Sequence, residues 1–123
     1  MVRTRLHRLA AESASVRLAR HAVRDVVPGL DGDTLDRLLL CTSEIVTNAV
    51  EHGTPPIDLR VAKQSDTIRV EVSDASDLHP KQGRPAAMAI RGRGLLIVEQ
   101  CSERWGVEPG PAGKTVWFEV SPR

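Results

Sequence analysis

The chain has 123 residues, a formal charge of +1 from 17 basic and 16 acidic side chains, 41% hydrophobic residues and 27% charged ones. That length suits a single domain with one real core, over 1–123, and not two. The near-neutral balance argues against a dedicated nucleic-acid binder, which shows a marked basic excess. No apolar run approaches the roughly 20 residues that a membrane span needs. The basic start, Met1 to Arg8, lacks the apolar stretch of a secretion signal. Cys41 and Cys101 carry no metal-type spacing, and two unpaired thiols suit a reducing cytoplasm. Trp105, Trp117 and Phe118 are the only aromatics, so the core must be built from Leu, Val, Ile and Ala.

In chain order, residues near Arg3–Leu9 alternate weakly and suggest a first strand. Ser13 or Ser15 is placed to cap a helix running to about Val27, with Val16, Ala19, Val23, Val26 and Val27 as its apolar stripe. Pro28-Gly29 ends it. A second helix follows, with Asp33 as the expected cap and Gly53 with Pro55-Pro56 as its stop. Ile57–Lys63 and Thr67–Ser73 alternate with period two around Gln64-Ser-Asp66 and predict a β-hairpin. From Asp74 to Arg93 there is no clear periodicity, and a loop that long in so small a domain is usually functional. Leu95–Cys101 predicts a short helix. Trp105–Glu108 and Thr115–Val120 predict a second hairpin, joined by the turn Pro109–Gly113, with the two tryptophans as core or a cross-strand pair. The order β-α-α-β-β-loop-α-β-β predicts an α/β (α+β) two-layer sandwich, its sheet mixed and mostly antiparallel, with the helices on one face.

Polar chemistry interrupts the second helix. Leu35, Leu38, Leu39, Thr42, Ile45, Val46, Ala49 and Val50 mark its buried face, while Glu44 and Asn48 fall together on the other side, one turn apart. A carboxylate there can take a proton or orient a nucleophile, and an amide oxygen can complete a Mg²⁺ shell. Most such pairs are simply a solvated helix face. Three later segments tip the balance: a strand ending in an acidic turn, Arg69–Ser76; a glycine pair opening an apolar helix, Arg91-Gly92-Arg93-Gly94; and a turn entering a strand, Gly113-Lys114-Thr115.

With Glu44–Gly53, this series resembles the N, G1, G2 and G3 boxes of the GHKL ATPases. Its compact form most resembles the anti-sigma-factor serine kinases. The resemblance runs from about Arg3 to Val120 and implies the Bergerat ATP-binding fold, with ATP and Mg²⁺ as cofactors. It implies Glu44 as the catalytic carboxylate, Asn48 as the metal ligand, and His52 near the phosphates or the end of the helix. Asp74 would read the adenine amino group, with the Thr115 hydroxyl beside it. Ser76 and Leu78 stand where many members have glycine. Arg91, Gly92, Arg93, Gly94 and Leu95 would gather the phosphates, through backbone N–H groups, the following helix N-terminus and guanidinium forks. Lys114 is expected to face solvent.

The function this implies is a cytoplasmic serine/threonine-protein kinase that regulates transcription by phosphorylating an antagonist protein or binding a sigma factor, with no direct contact to nucleic acid or membrane. The small kinases commonly dimerise, which makes a homodimer one arrangement to expect. An ATP-gated binding module with little phosphotransfer is the alternative. A piece of a two-component histidine kinase fits less well, because no long helical hairpin with a phospho-accepting histidine precedes the Glu44 helix.

Overall fold

In a computed structural model, residues 2–76 and 95–123 are described. Among them the elements run β1 (Val2–Leu9), α1 (Ala14–Val26), α2 (Gly32–His52), β2 (Ile57–Gln64), β3 (Thr67–Asp74), α3 (Leu96–Cys101), β4 (Arg104–Gly110) and β5 (Gly113–Val120). The order is the one expected. The strands form one five-stranded sheet in the order β1-β2-β3-β5-β4. Each neighbouring pair is antiparallel, so among the described residues the sheet has no parallel pair. The helices cover one face.

Alternation explains which face. Along β3, Ile68, Val70, Val72 and Asp74 are buried while the residues between them are half-buried; along β5, Val116, Phe118 and Val120 are buried in the same rhythm. The apolar ones among these side chains meet Ala19, Val23 and Val26 of α1 and Leu38, Ile45, Val46 and Ala49 of α2 in one core, aliphatic but for Phe118 and partly buried Trp105. The apolar stripes read from the sequence therefore do what their spacing suggests. Removing that surface from water is the main driving force, roughly 25 cal/mol per Å² of apolar area.

Helix ends differ in detail from expectation. Asp31, not Asp33, caps α2: its extended backbone leaves one carboxylate oxygen to accept from Thr34 N at 3.0 Å, while the other accepts from Thr34 Oγ1 at 2.7 Å. Asp33 instead sits in the first turn and binds Arg37 at 3.1 Å. Ser13 occupies the cap position of α1 without a side-chain bond, and Ser15 turns back to Ala10 O at 2.6 Å.

Arg37 is the main feature the pattern conceals. Only 6% exposed, it reaches Glu103 Oε1 at 3.1 Å, Ser121 O at 2.9 Å and Cys101 O at 3.3 Å. Glu103 accepts in turn from Ser121 N at 2.9 Å. One guanidinium thus ties the start of α2 to the end of α3 and to the chain after β5.

The two tryptophans are not a pair. Trp105 lies opposite Phe118 and packs on the core, whereas Trp117 lies opposite Gly106 on the uncovered sheet face, with the Arg69 guanidinium 4.0 Å from its ring centre. Gly106 is required there, since a Cβ would come within 2.8 Å of Trp117 Nε1. Both cysteines are free thiols. Cys41 is buried, and its thiol is pushed up to about 12, first by burial and then by the neighbouring Cys101.

Candidate functional site

A pocket opens between the last turns of α2 and the ends of β3 and β5. Its apolar walls are Ile45, Ala49, Val72 and Val116, and its polar groups are Asn48, His52, Asp74 and Lys114. A few convergent polar groups in an apolar cleft make an orienting site for a small ligand. Local rules produce it. Asn48 and His52 stand one turn apart on α2, Gly53 closes that helix through its N–H to Ala49 O at 2.9 Å, and Asp74 ends β3 on the buried side of the pleat.

Two close approaches weld these elements together. Ala75 N donates to Thr54 O at 2.7 Å, holding the end of β3 against the chain leaving α2. Only glycine fits at the contacts beside Asp74. A Cβ on Gly53 would come within 2.8 Å of Asp74 Oδ2, and one on Gly113 within 1.9 Å of Asp74 O. The backbone therefore packs around this one carboxylate.

Asp74 is the electrostatic centre. Its side chain is 2% exposed and pairs with Lys114 Nζ, whose own side chain is 11% exposed. Oδ1 also accepts from Ser76 N at 2.7 Å, and Lys114 Nζ donates to Ser76 Oγ at 2.9 Å. Burial pushes the Asp74 carboxyl up, but the bonds from Lys114 and Ser76 outweigh it and hold the group below the usual carboxylate range. The site thus contains a charged acceptor at the floor of an apolar cleft.

The structure brings Asn48, His52, Asp74 and Ser76 together. Glu44 lies one helical turn before Asn48, half-buried and outside the residues that line the pocket. Leu95 directly precedes α3 with its side chain wholly in the core, which leaves only its backbone for a ligand. Arg91, Gly92, Arg93 and Gly94, with most of the aperiodic Asp74–Arg93 segment, lie outside the described residues.

Two expectations are corrected on β5. Asp74 pairs in register with Lys114, and Ser73 with Thr115. Because successive side chains point to opposite faces, Thr115 leaves on the uncovered face with Ser73, away from the Asp74 carboxylate. Lys114, expected in solvent, takes the place beside Asp74 instead.

The polar and apolar groups lining the pocket are chemically complementary to a purine base. A buried carboxylate suits an exocyclic amino group, and the apolar walls suit the faces of a base. Asn48 Nδ2 is buried with no hydrogen-bond partner among the described residues, an unused donor suited to a ligand acceptor such as a phosphate oxygen, while the side-chain oxygen is the atom that could ligate a cation. Among the described residues no cluster of three or more His, Cys, Asp or Glu could hold a metal. A Mg²⁺ ion that keeps its waters and takes phosphate oxygens needs only one or two protein ligands.

Comparison with known proteins bears on the family and the fold. The profile of the histidine kinase-like ATPase domain matches residues 9–120. No match is found among curated proteins. Among solved structures, the fold is similar to the RsbU and RsbW domains of a Mycobacterium tuberculosis protein, with TM-score 0.73 and 22% identity over 98% of this chain and 33% of that one. It is also similar to the histidine kinase domain of a blue-light activated histidine kinase from Erythrobacter litoralis, with TM-score 0.55 and 20% identity over 89% of this chain and 60% of that one. The chain therefore spans a third of the first solved chain and 60% of the second. With the family profile covering nearly its whole length and the fold in agreement, the chain belongs to the histidine kinase-like ATPase domain family, an ATP-binding fold of the GHKL type.

Proposed function

We propose that this chain is an ATP- and Mg²⁺-dependent serine/threonine-protein kinase of the anti-sigma-factor type, acting in the cytoplasm as one ATP-binding domain. The observation that carries the reading is the convergence of Asn48 and Asp74 on one pocket, with Glu44 one helical turn away. The four sequence boxes and the fold likeness to a protein with an RsbW domain support it.

In this reading Asp74 accepts from the adenine amino group, and the apolar walls from Ile45, Ala49, Val72 and Val116 hold the base. The Asn48 amide oxygen would hold Mg²⁺, and His52 closes the phosphate end of the pocket. Bound ATP with Mg²⁺ supplies the phosphoryl group and neutralises the charge that develops on it. Glu44 would take the proton of a substrate serine or threonine hydroxyl as that oxygen bonds to the γ-phosphorus, the bond from that phosphorus to the bridging oxygen breaks, and ADP leaves. Phosphoryl transfer asks little covalent chemistry of a protein, so positioning and charge are enough. The partners are a sigma factor and the antagonist protein that receives the phosphate.

Transfer of labelled phosphate from ATP to candidate antagonist proteins tests this. Incorporation on serine or threonine is expected. Saturable ATP binding without transfer to any antagonist would favour an ATP-gated binding module.

A further inference from the structure

Lys114 has an unusual position for a long cation: nearly buried, inside an apolar cleft, and next to the carboxylate that would read the base. Neutralising Asp74 accounts for one of its bonds. The ammonium has three N–H donors. Those found among the described residues go to Asp74 Oδ2 and Ser76 Oγ, which leaves a third. The Asp74 carboxylate accepts from the N–H groups of Ser76 and Thr54 at Oδ1 and from Lys114 at Oδ2, three of about four lone-pair sites, and so keeps one on the oxygen beside Lys114. An acceptor and a cationic donor thus lie side by side, at hydrogen-bond separation, on the pocket wall. Neighbouring positions on the edge of adenine offer the complement: the amino group donates and ring nitrogen N1 accepts.

We propose that Lys114 is a second nucleobase-reading residue, its ammonium donating to adenine N1 while Asp74 accepts from the exocyclic amino group. The proposal deepens the nucleotide reading above and rests on it. It makes the pocket selective at two adjacent atoms. Guanine in the same pose would set its O6 acceptor against the Asp74 carboxylate and its N1–H donor against the ammonium. Both contacts are then wrong, and a site built to hydrogen-bond a ligand rejects the mismatched analogue strongly, because its own buried groups lose their partners.

Titration calorimetry with ATP and with 1-deaza-ATP, which has C–H in place of N1, separates base reading from mere charge neutralisation. The wild-type chain should bind 1-deaza-ATP roughly 10- to 100-fold more weakly than ATP, the usual worth of a hydrogen bond to a charged group. Lys114→Met should weaken ATP and abolish the difference between the two nucleotides. The wild-type comparison of the two nucleotides stands by itself should the methionine variant fail to fold. Wild-type binding of both nucleotides with equal affinity overturns the role of Lys114 and leaves the nucleotide site standing, as does undiminished discrimination in a folded Lys114→Met variant. Failure of the folded wild type to bind ATP at all overturns the nucleotide reading and this proposal with it.

Discussion

Glu44 and Asn48, one turn apart on α2, should fail in different ways when replaced. Glu44→Gln keeps the shape and removes the base, so nucleotide affinity should stay within a few-fold while phosphotransfer falls by roughly 10²–10⁴. Asn48→Ala removes a metal ligand, so Mg²⁺-dependent affinity and transfer should fall together. Parallel binding and transfer assays decide it; identical profiles for the two variants would contradict the assignment. Asp74 carries a pH signature. Burial raises its carboxyl, but the Lys114 and Ser76 bonds bring it below the usual range. A folded value below the unfolded one, about 3.9, means that its contribution is complete above that pH and lost as pH falls through the folded value. Urea unfolding midpoints should therefore drop as pH falls below about 4, and less steeply in Asp74→Asn. Equal slopes would show that the ion pair is not what titrates. At this scale spacing puts Glu44 and Asn48 one turn apart on a helix and Asp74 at the end of a strand, as the fold does, but it does not show that β5 turns Lys114 rather than Thr115 toward Asp74. Gly113-Lys-Thr offers two polar side chains in succession, and only the register against β3 decides which one faces Asp74.

At the scale of elements, periodicity makes α1, α2 and both hairpins legible, because each buries one face. What it leaves hidden depends on partners distant in the chain. Arg37 reads as one more solvated charge on α2, since Cys101, Glu103 and Ser121 are all more than 60 residues away. Asp33 is the expected cap by its place before the apolar stripe, but the extended backbone at Asp31 starts the helix two residues earlier. Arg37→Met should cost roughly 1–3 kcal/mol, because it removes the donor shared by the partly buried Cys101 and Ser121 carbonyls and leaves Glu103 without its cation. Chemical denaturation measures this; a loss below about 0.5 kcal/mol, the range of ordinary surface substitutions, would mean that the network is incidental. Gly113→Ala should also destabilise, by roughly 1–3 kcal/mol, since its Cβ would collide with the Asp74 backbone and push β5 from β3. Unchanged stability in that variant would count against the close packing around Asp74.

At the scale of the whole molecule, the sheet order puts the ends of β3 and β5 side by side under the C-terminal half of α2, and that juxtaposition makes the pocket. Four sequence motifs in order pointed to this fold through their resemblance to a family, but the motifs do not themselves show that β5 inserts between β3 and β4. That is set by which faces must be buried together. The central claim is that this pocket binds ATP through Asp74. Its most direct test is equilibrium titration of the folded chain with ATP and GTP in the presence of Mg²⁺, for the wild type and for Asp74→Asn. Saturable binding of ATP well ahead of GTP, with the preference weakened in Asp74→Asn, is the predicted result. No binding at millimolar ATP, or ATP preference untouched by Asp74→Asn, would contradict it.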